Sequence, residues 1–484
     1  MDILSRIIDS IETNEYLTKL NERIDELVSP IVFNPSALNY GMFISDLGYY
    51  VHSLARDIIK TVFEIADEEF FNRESRKQRY YSKAYRKREI ITLFGHIIYY
   101  RHEYVDKDTG KPFIYIDEKI GLHRRDRYDP AVCAKLYERY AYTNSMINTG
   151  KDVGLDLNTP FSLDENRLLE AIPRQTVWKI LHRFKRIDLP IKPLDTPSTL
   201  YVMADEKYIP SQYNNNQKLM TKEIIVHEGI ETLYKGINKE TGQIYTRNKL
   251  INPRRFITYD SNNPFRSVND YINETYDVDK IEKIYLMGDG GSWIESGLNE
   301  LRSPDYSVGY GLDKLHFCLA VNTISKDENI KSLIYDYSIN NRRQDFETLI
   351  DSIVSNDSLR KDVILEKAEY ITNRFTSIKT MYKDIKIGCA MEQAISHDIM
   401  TIFTSVPKAY SKKWLSFYLN ERQNYLNGYD LRKSYLVALD KTQNNTEENE
   451  ISLKDTLNTS FFDKQIKDET YTLPKTVAIS ISRH

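Results

Sequence analysis

The sequence predicts an α/β protein of the α+β multidomain kind, on three observations. The chain has 484 residues, too many for one small core, so two or three domains are expected. Apolar residues recur at helical spacing over residues 1–72, then give way to short β-branched and aromatic runs. From residue 198 onward, strand-like runs first cluster and then alternate with helical ones, as in a mixed sheet flanked by helices.

The elements follow in order. Ile3, Ile7, Ile8, Ile11, Leu17 and Leu20 keep a three- and four-residue spacing, and LGYYVHSLARDIIKTVFEIADEEFF continues it. Residues 73–88 (RESRKQRYYSKAYRKR) are strongly basic with interleaved tyrosines. ITLFGHIIYYRHEYVD, a turn at Asp108-Thr109-Gly110 and KPFIYIDEKIGL then read as a β-hairpin. Helical patterns resume with PAVCAKLYERYAYTNSMI, SLDENRLLEA and AIPRQTVWKILHRFKR. The last reads either as a plain amphipathic helix or as the second helix of a helix-turn-helix. In the second case Val177, Ile180 and Leu181 face inward and Arg174, Gln175, Thr176 and Lys179 face a major groove. Three prolines in residues 189–197 mark a linker.

Beyond the linker, STLYVMADEKYI and LMTKEIIVHEGI are strands, with GQIYTRNKLI and RRFITYDS as weaker ones. FRSVNDYINETYDV is a helix, IEKIYLMGD a strand, SWIESGLNELR a helix, YSVGYGLD a strand and DKLHFCLAVNTISK a helix. Residues 326–385 are helical in pattern. The expected division is 1–72 helical, 73–122 basic segment and hairpin, and 123–188 helix-turn-helix-like. A domain over 198–425 with a helical insertion at about 326–385 and a C-terminal region over 426–484 complete it.

A net charge of −3 excludes a polycation, although a local basic face can coexist with it. The 36 tyrosines, beside few Gly and Pro, fit a coding bias and carry no function by themselves. Cys133, Cys318 and Cys389 form no CxxC pair, which argues against a disulfide framework and a cysteine zinc site. No apolar stretch reaches the roughly 18–20 residues of a membrane span, and the N-terminus has no signal-peptide core, so a cytoplasmic protein without membrane partners is expected.

Three carboxylates carry the chemistry. Asp205 ends the strand LYVMAD, Asp289 follows IYLM between two glycines, and Glu392 lies among small apolar residues on a helical run. Each alone has a plain reading, as strand terminator, turn residue or exposed helical acid. Together they match a DDE site on an RNase H-like mixed sheet. Such a site holds two Mg²⁺ ions, with Mn²⁺ a possible substitute, one activating the attacking oxygen and one stabilising the leaving oxygen. Asp205 would bridge the ions, and Asp289 and Glu392 would each complete one site.

The chain resembles the DDE transposases of the ISLre-type insertion sequences (Mutator-like) and the transposase-like proteins of mycoplasma integrative conjugative elements. The resemblance runs over roughly residues 75–425, through REIITLFGHIIYYRHEYVDKDTGKPFIYIDEKIGL, IPRQTVWKIL, YVMADEKYI, IVHEG, IYLMGDGGSWIESG, GLDKLHF and IGCAMEQAISH. Asp313 and His316 fit the family's Asp-x-x-His signature. Gln393-Ala394-Ile395 stand where a glycine and a valine are more usual after the glutamate.

The resemblance implies helical and β-hairpin DNA-binding modules, Mg-dependent DNA cleavage and strand transfer, double-stranded DNA as partner, and a homodimer or higher synaptic oligomer. His316 would contact phosphate or orient a carboxylate, unless it is structural. Trp293 would pack, or touch distorted DNA near the cut. Arg76, Lys77, Arg86, Lys87 and Arg88 would either grip the DNA backbone or form a solvated helix face. Two rival functions stand beside the transposase: a catalytically silent, transposase-derived DNA-binding regulator, and an RNase H-like structure-specific nuclease.

Overall fold

The computed structural model describes residues 3–123, 125–157, 171–183, 194–212, 218–237, 241–259, 262–404 and 410–444. Helices α1 (Ile3–Glu12), α2 (Glu15–Phe33) and α3 (Ala37–Asn72) open the chain. Ser36 caps α3 by accepting the Asn39 N–H at 3.1 Å. The short α4 (Glu74–Arg79) leads into the strands β1 (Tyr80–Thr92) and β2 (Gly95–Asp106). Two carboxylates on α3 close the edge of β2. Glu64 accepts the Tyr100 N–H at 3.0 Å and Asp67 the His102 N–H at 2.9 Å.

This hairpin differs from the one expected. ITLFGHIIYYRHEYVD is two strands, turning at Leu93-Phe94, with Thr92 opposite Gly95. Gly95 takes φ +106°, and the Thr92 hydroxyl accepts the Phe94 N–H at 3.1 Å. Tertiary packing hides the turn, because Leu93 packs on the helical core and Phe94 meets His52 edge-on. The Asp108–Gly110 turn instead joins β2 to a two-residue strand β3 (Pro112–Phe113), and YIDEKI is the helix α5 (Tyr115–Ile120).

Next come α6 (Pro130–Thr143), α7 (Met146–Leu157) and α8 (Arg174–Leu181). Asp129 caps α6, accepting the Val132 N–H at 2.7 Å, with Pro130 at the first helical position. Gly150 lets α7 approach closely, since a Cβ there would lie 2.0 Å from the Ile172 carbonyl oxygen. SLDENRLLEA, but for its last residue, and most of the Leu189–Pro197 linker lie outside the described residues.

A five-stranded mixed sheet follows. Its strands are β4 (Thr199–Pro210), β5 (Lys218–His227), β8 (Arg254–Thr258), β9 (Lys283–Gly288) and β10 (Ser307–Leu312), in the order β10-β9-β4-β5-β8. β4, β9 and β10 run parallel, whereas β5 and β8 are antiparallel to their neighbours. Between β5 and β8 the chain forms a separate hairpin, β6 (Ile230–Ile237) with β7 (Ile244–Leu250).

Alternation along β4 splits the core in two. Leu200, Val202 and Ala204 pack with Phe265, Val268 and Ile272 of α9 (Phe265–Thr275) and Ile294 of α10 (Ser292–Glu300). Met203 packs on the opposite face with Ile225, Met287, Met381, Ile385, Met391 and Ile395.

Residues 314–379 contain α11 (Lys314–Ile324), α12 (Glu328–Ile339), α13 (Arg343–Asn356), α14 (Lys361–Thr372) and α15 (Phe375–Lys379). Then come α16 (Met391–Ile395), a wide turn at Ser396–Met400, α17 (Thr401–Phe403), α18 (Lys412–Leu426) and α19 (Leu431–Asn444). α19 returns to the front of the chain, placing Leu431 and Tyr435 in one core with Val132, Leu136, Val153, Val177 and Leu181. Among the described residues, no helix is long and apolar enough to cross a membrane.

Candidate functional site

Strand register gathers three aspartates where the parallel pairing of β4, β9 and β10 ends. Met203 pairs with Met287 across the parallel β4–β9 ladder, so Asp205 and Asp289 each lie two residues beyond the same rung. Leu312 pairs with Gly288 and the Asp313 N–H reaches the Gly288 carbonyl at 2.8 Å, which sets Asp313 beside the Asp289 turn. His316, one helical turn on, faces Asp313 with Nδ1 3.0 Å from Oδ2.

Each carboxylate is occupied locally. Asp205 Oδ1 accepts the Glu206 N–H at 2.7 Å, and Asp289 Oδ1 accepts the Gly291 N–H at 2.8 Å. Asp313 caps α11 through the Leu315 N–H at 3.2 Å. Burial pushes the Asp205 carboxyl up to about 6, the Glu206 N–H opposing this and the charge of Asp289 adding to it. The hydrogen bond to Asp313 holds the His316 imidazole above its ordinary value against the opposing effect of burial, with the charges of Asp289 and Asp205 reinforcing it.

Glu392 does not join this group. Met391 and Ile395 turn one side of α16 onto the sheet, which leaves Glu392 exposed in the first turn. Among the described residues, no group of three or more His, Cys, Asp or Glu side chains is placed to hold a metal ion. That overturns the two-metal expectation for Asp205, Asp289 and Glu392, and with it Mg²⁺ or Mn²⁺ as cofactor, the DDE transposase activity and the assignment as a metal-dependent DNA-cleaving enzyme. Locally, one oxygen of Asp205 and one of Asp289 each accept a backbone N–H, Asp313 is shared between the Leu315 N–H and His316, and Glu392 turns outward.

Trp293 is an anchor. Its indole N–H donates to Glu206, and Lys222 Nζ lies 5.2 Å from its ring centroid. Two residues of the helical run, not singled out in the sequence, hold the Asp289 turn. The Tyr370 hydroxyl donates to the Asp289 carbonyl at 2.7 Å, and Arg374 donates to the Gly290 carbonyl at 2.7 Å. Gly290 takes φ +90°, and a Cβ there would come within 2.2 Å of Arg374 Nε.

The basic residues divide. Arg76 is buried, stacks on Phe71 at 4.7 Å and donates to the Phe71 carbonyl, so it serves the α3–α4 junction and offers nothing to a phosphate. Arg88 also turns inward, donating to the carbonyls of His123 at 3.0 Å and Asp126 at 2.7 Å. Lys77 is exposed beside Glu74 at 2.5 Å. On β1, Lys83, Arg86 and Lys87 stand in solvent with Tyr81 and Tyr85. Arg86 lies 3.5 Å from Glu103 and Lys87 2.8 Å from Glu89. The basic run is thus a six-residue helix followed by an exposed strand. On α8, Arg174, Gln175 and Lys179 are exposed and Thr176 half-buried, while Val177, Ile180 and Leu181 face the core.

A buried polar knot on the far side of β5 had no sequence signal, because its members are far apart in the chain. Glu223, opposite Asp205 in the ladder, is fully buried beside Asp398 and Arg255. Arg255 Nε reaches Asp398 at 2.6 Å, and Arg422 donates to the carbonyls of Asp398 at 3.2 Å and Tyr142 at 3.4 Å. Burial, then the neighbouring Asp398 charge, raises Glu223 far above the ordinary carboxyl range.

Curated relatives match the chain in sequence over most of their length. A UPF0236 protein of Caldanaerobacter subterraneus subsp. tengcongensis (TTE2489) is 25% identical over 406 residues, covering 82% of this chain and 81% of that protein. Another from the same organism, whose name joins eleven numbered designations from TTE0033 to TTE2212, is 24% identical over 404 residues, 82% of this chain and 80% of that protein. A UPF0236 protein in the vanSb 3′ region of Streptococcus gallolyticus is 24% identical over 398 residues, 79% of this chain and 76% of that protein. The profile described as "Uncharacterised protein family (UPF0236)" matches residues 37–439, and the chain belongs to that family.

Proposed function

We propose that this chain is a transposase-derived DNA-binding protein that occupies double-stranded DNA and regulates events there without metal-dependent strand cleavage. The observation that carries the reading is the outer half of β1. Lys83, Arg86 and Lys87 stand in solvent with Tyr81 and Tyr85, a cationic and aromatic strand suited to phosphate and sugar contact. The α8 N-terminus, with Arg174 and Gln175 outward over an apolar inner side, supports a second, base-reading contact.

The origin in a mobile element is supported on two counts. A sheet with three parallel strands and two antiparallel ones suits an RNase H-like ancestor, with helices α11–α15 as its insertion. One relative's name joins eleven designations within one organism, as expected of a sequence that has been copied about a genome. Two copies of the chain on paired DNA ends fit the same origin.

Fluorescence anisotropy on a labelled duplex tests the reading. The chain should bind with a steep salt dependence, and Lys83→Glu with Arg86→Glu together should lower the slope of log Kd against log salt by about two. Salt-independent binding, or an unchanged slope in the double variant, would refute the β1 assignment. Mg²⁺-dependent nicking by the purified chain would refute the regulatory reading.

A further inference from the structure

Among the described residues, β6 and β7 pair only with each other and form a sheet of their own. A lone two-stranded hairpin is marginal in water. This one nevertheless leaves Tyr234 54%, Tyr245 43%, Ile237 65% and Ile244 74% exposed. Its register sorts the side chains. Tyr234 stands opposite Arg247 and Gly236 opposite Tyr245, so both rings and the guanidinium share one face.

Gly236 is the bed for the rings, since a Cβ there would come within 2.6 Å of Tyr234 and 2.7 Å of Tyr245. The two rings lie 6.0 Å apart at 54°. Glu231 is the carboxylate of this face among the described residues, and Lys249 neutralises it at 2.5 Å. What is left is aromatic and cationic. At its foot is a hollow of about 460 Å³, lined in part by Lys249, Asn252 and Arg255.

We propose that the β6–β7 hairpin is a second DNA contact, a ribbon laid into a groove of the duplex. It rests on the DNA-binding reading above but on a different element. The charge of the face complements phosphate. Arg247 meets the backbone while Tyr234 and Tyr245 pack on sugars or on the faces of unstacked bases. A major groove about 12 Å wide admits a two-stranded ribbon. Ile237 and Ile244, paired at the end of the arm, stand on the opposite face.

The test uses the full chain and a duplex of about 30 base pairs, with anisotropy read over a range of salt. Arg247→Gln should lower the salt slope by about one. Tyr245→Ala should weaken binding on the order of tenfold, with Tyr245→Phe largely restoring it. A bromodeoxyuridine-substituted duplex should crosslink to the peptide carrying Tyr245. If wild type binds and these variants bind equally well, the arm is not a DNA contact, although the β1 reading stands. If wild type binds no duplex, both readings fall. If Ile237→Ser with Ile244→Ser dissociates an oligomer in sedimentation while each protomer binds DNA unchanged, the arm is a self-association surface and the proposal is overturned.

Discussion

Asp205→Asn is expected to stabilise the protein above neutral pH. The Asp205 carboxyl is pushed up to about 6 by burial, from an ordinary value near 3.8. A carboxyl raised on folding favours the fold below its unfolded value, and that contribution disappears as pH rises through 6. At pH 8 the buried charge therefore costs about 3 kcal/mol, taking 1.36 kcal/mol per unit, as an upper figure because part of the group still touches water. Asparagine keeps an oxygen for the Glu206 N–H, now 2.7 Å from Oδ1, and carries no charge. Urea denaturation followed by tryptophan fluorescence should show the variant about 1–3 kcal/mol more stable at pH 8, with the gain vanishing near pH 4. An equal loss at both pH values would mean that Asp205 is held by an interaction requiring its charge and that burial does not raise its carboxyl.

Two further outcomes follow from the same sheet. Adding Mg²⁺ should leave the melting temperature unchanged, whereas a site filled at about 100 times its Kd would add roughly 2.7 kcal/mol; a rise abolished by Asp289→Ala would restore the metal-site expectation. Glu223 is raised on folding, so its contribution is present at acid pH and lost as pH climbs through its folded value. Glu223→Gln should therefore narrow the difference in stability between pH 5 and pH 9, and an unchanged difference in denaturation midpoints would contradict a protonated Glu223.

Much of the central sheet was legible because its strands obey period two and end in Gly or Pro signals. LYVMAD and IYLMGD are apolar runs closed by an acid, and register then brings Asp205, Asp289 and Asp313 together where the parallel pairing ends. Glu392 was not legible as an outsider. A sequence shows that a residue lies on a helix, but which side it takes depends on Met391 and Ile395 being the better apolar anchors. The Leu93-Phe94 turn carried no Asn-Gly or Asp-Gly signature and was stabilised by contacts with His52 and the helical core. β6 was missed as the partner of β7 because a solvent-exposed arm does not show the alternation of a half-buried strand. Arg76 and Arg88 looked like their exposed neighbours, and only the fold directs them to backbone carbonyls.

The return of α19 to α6 has a consequence for biosynthesis. Val132, Leu136 and Val177 share their core with Leu431 and Tyr435, far later in the chain. While the ribosome makes the intervening sheet, the early helices wait with an apolar flank uncovered, and closing so long a loop costs entropy before any contact repays it. The helical unit should thus be the last part to gain protection from hydrogen exchange, and a chain released before α19 should carry an intact sheet behind an unfinished front end.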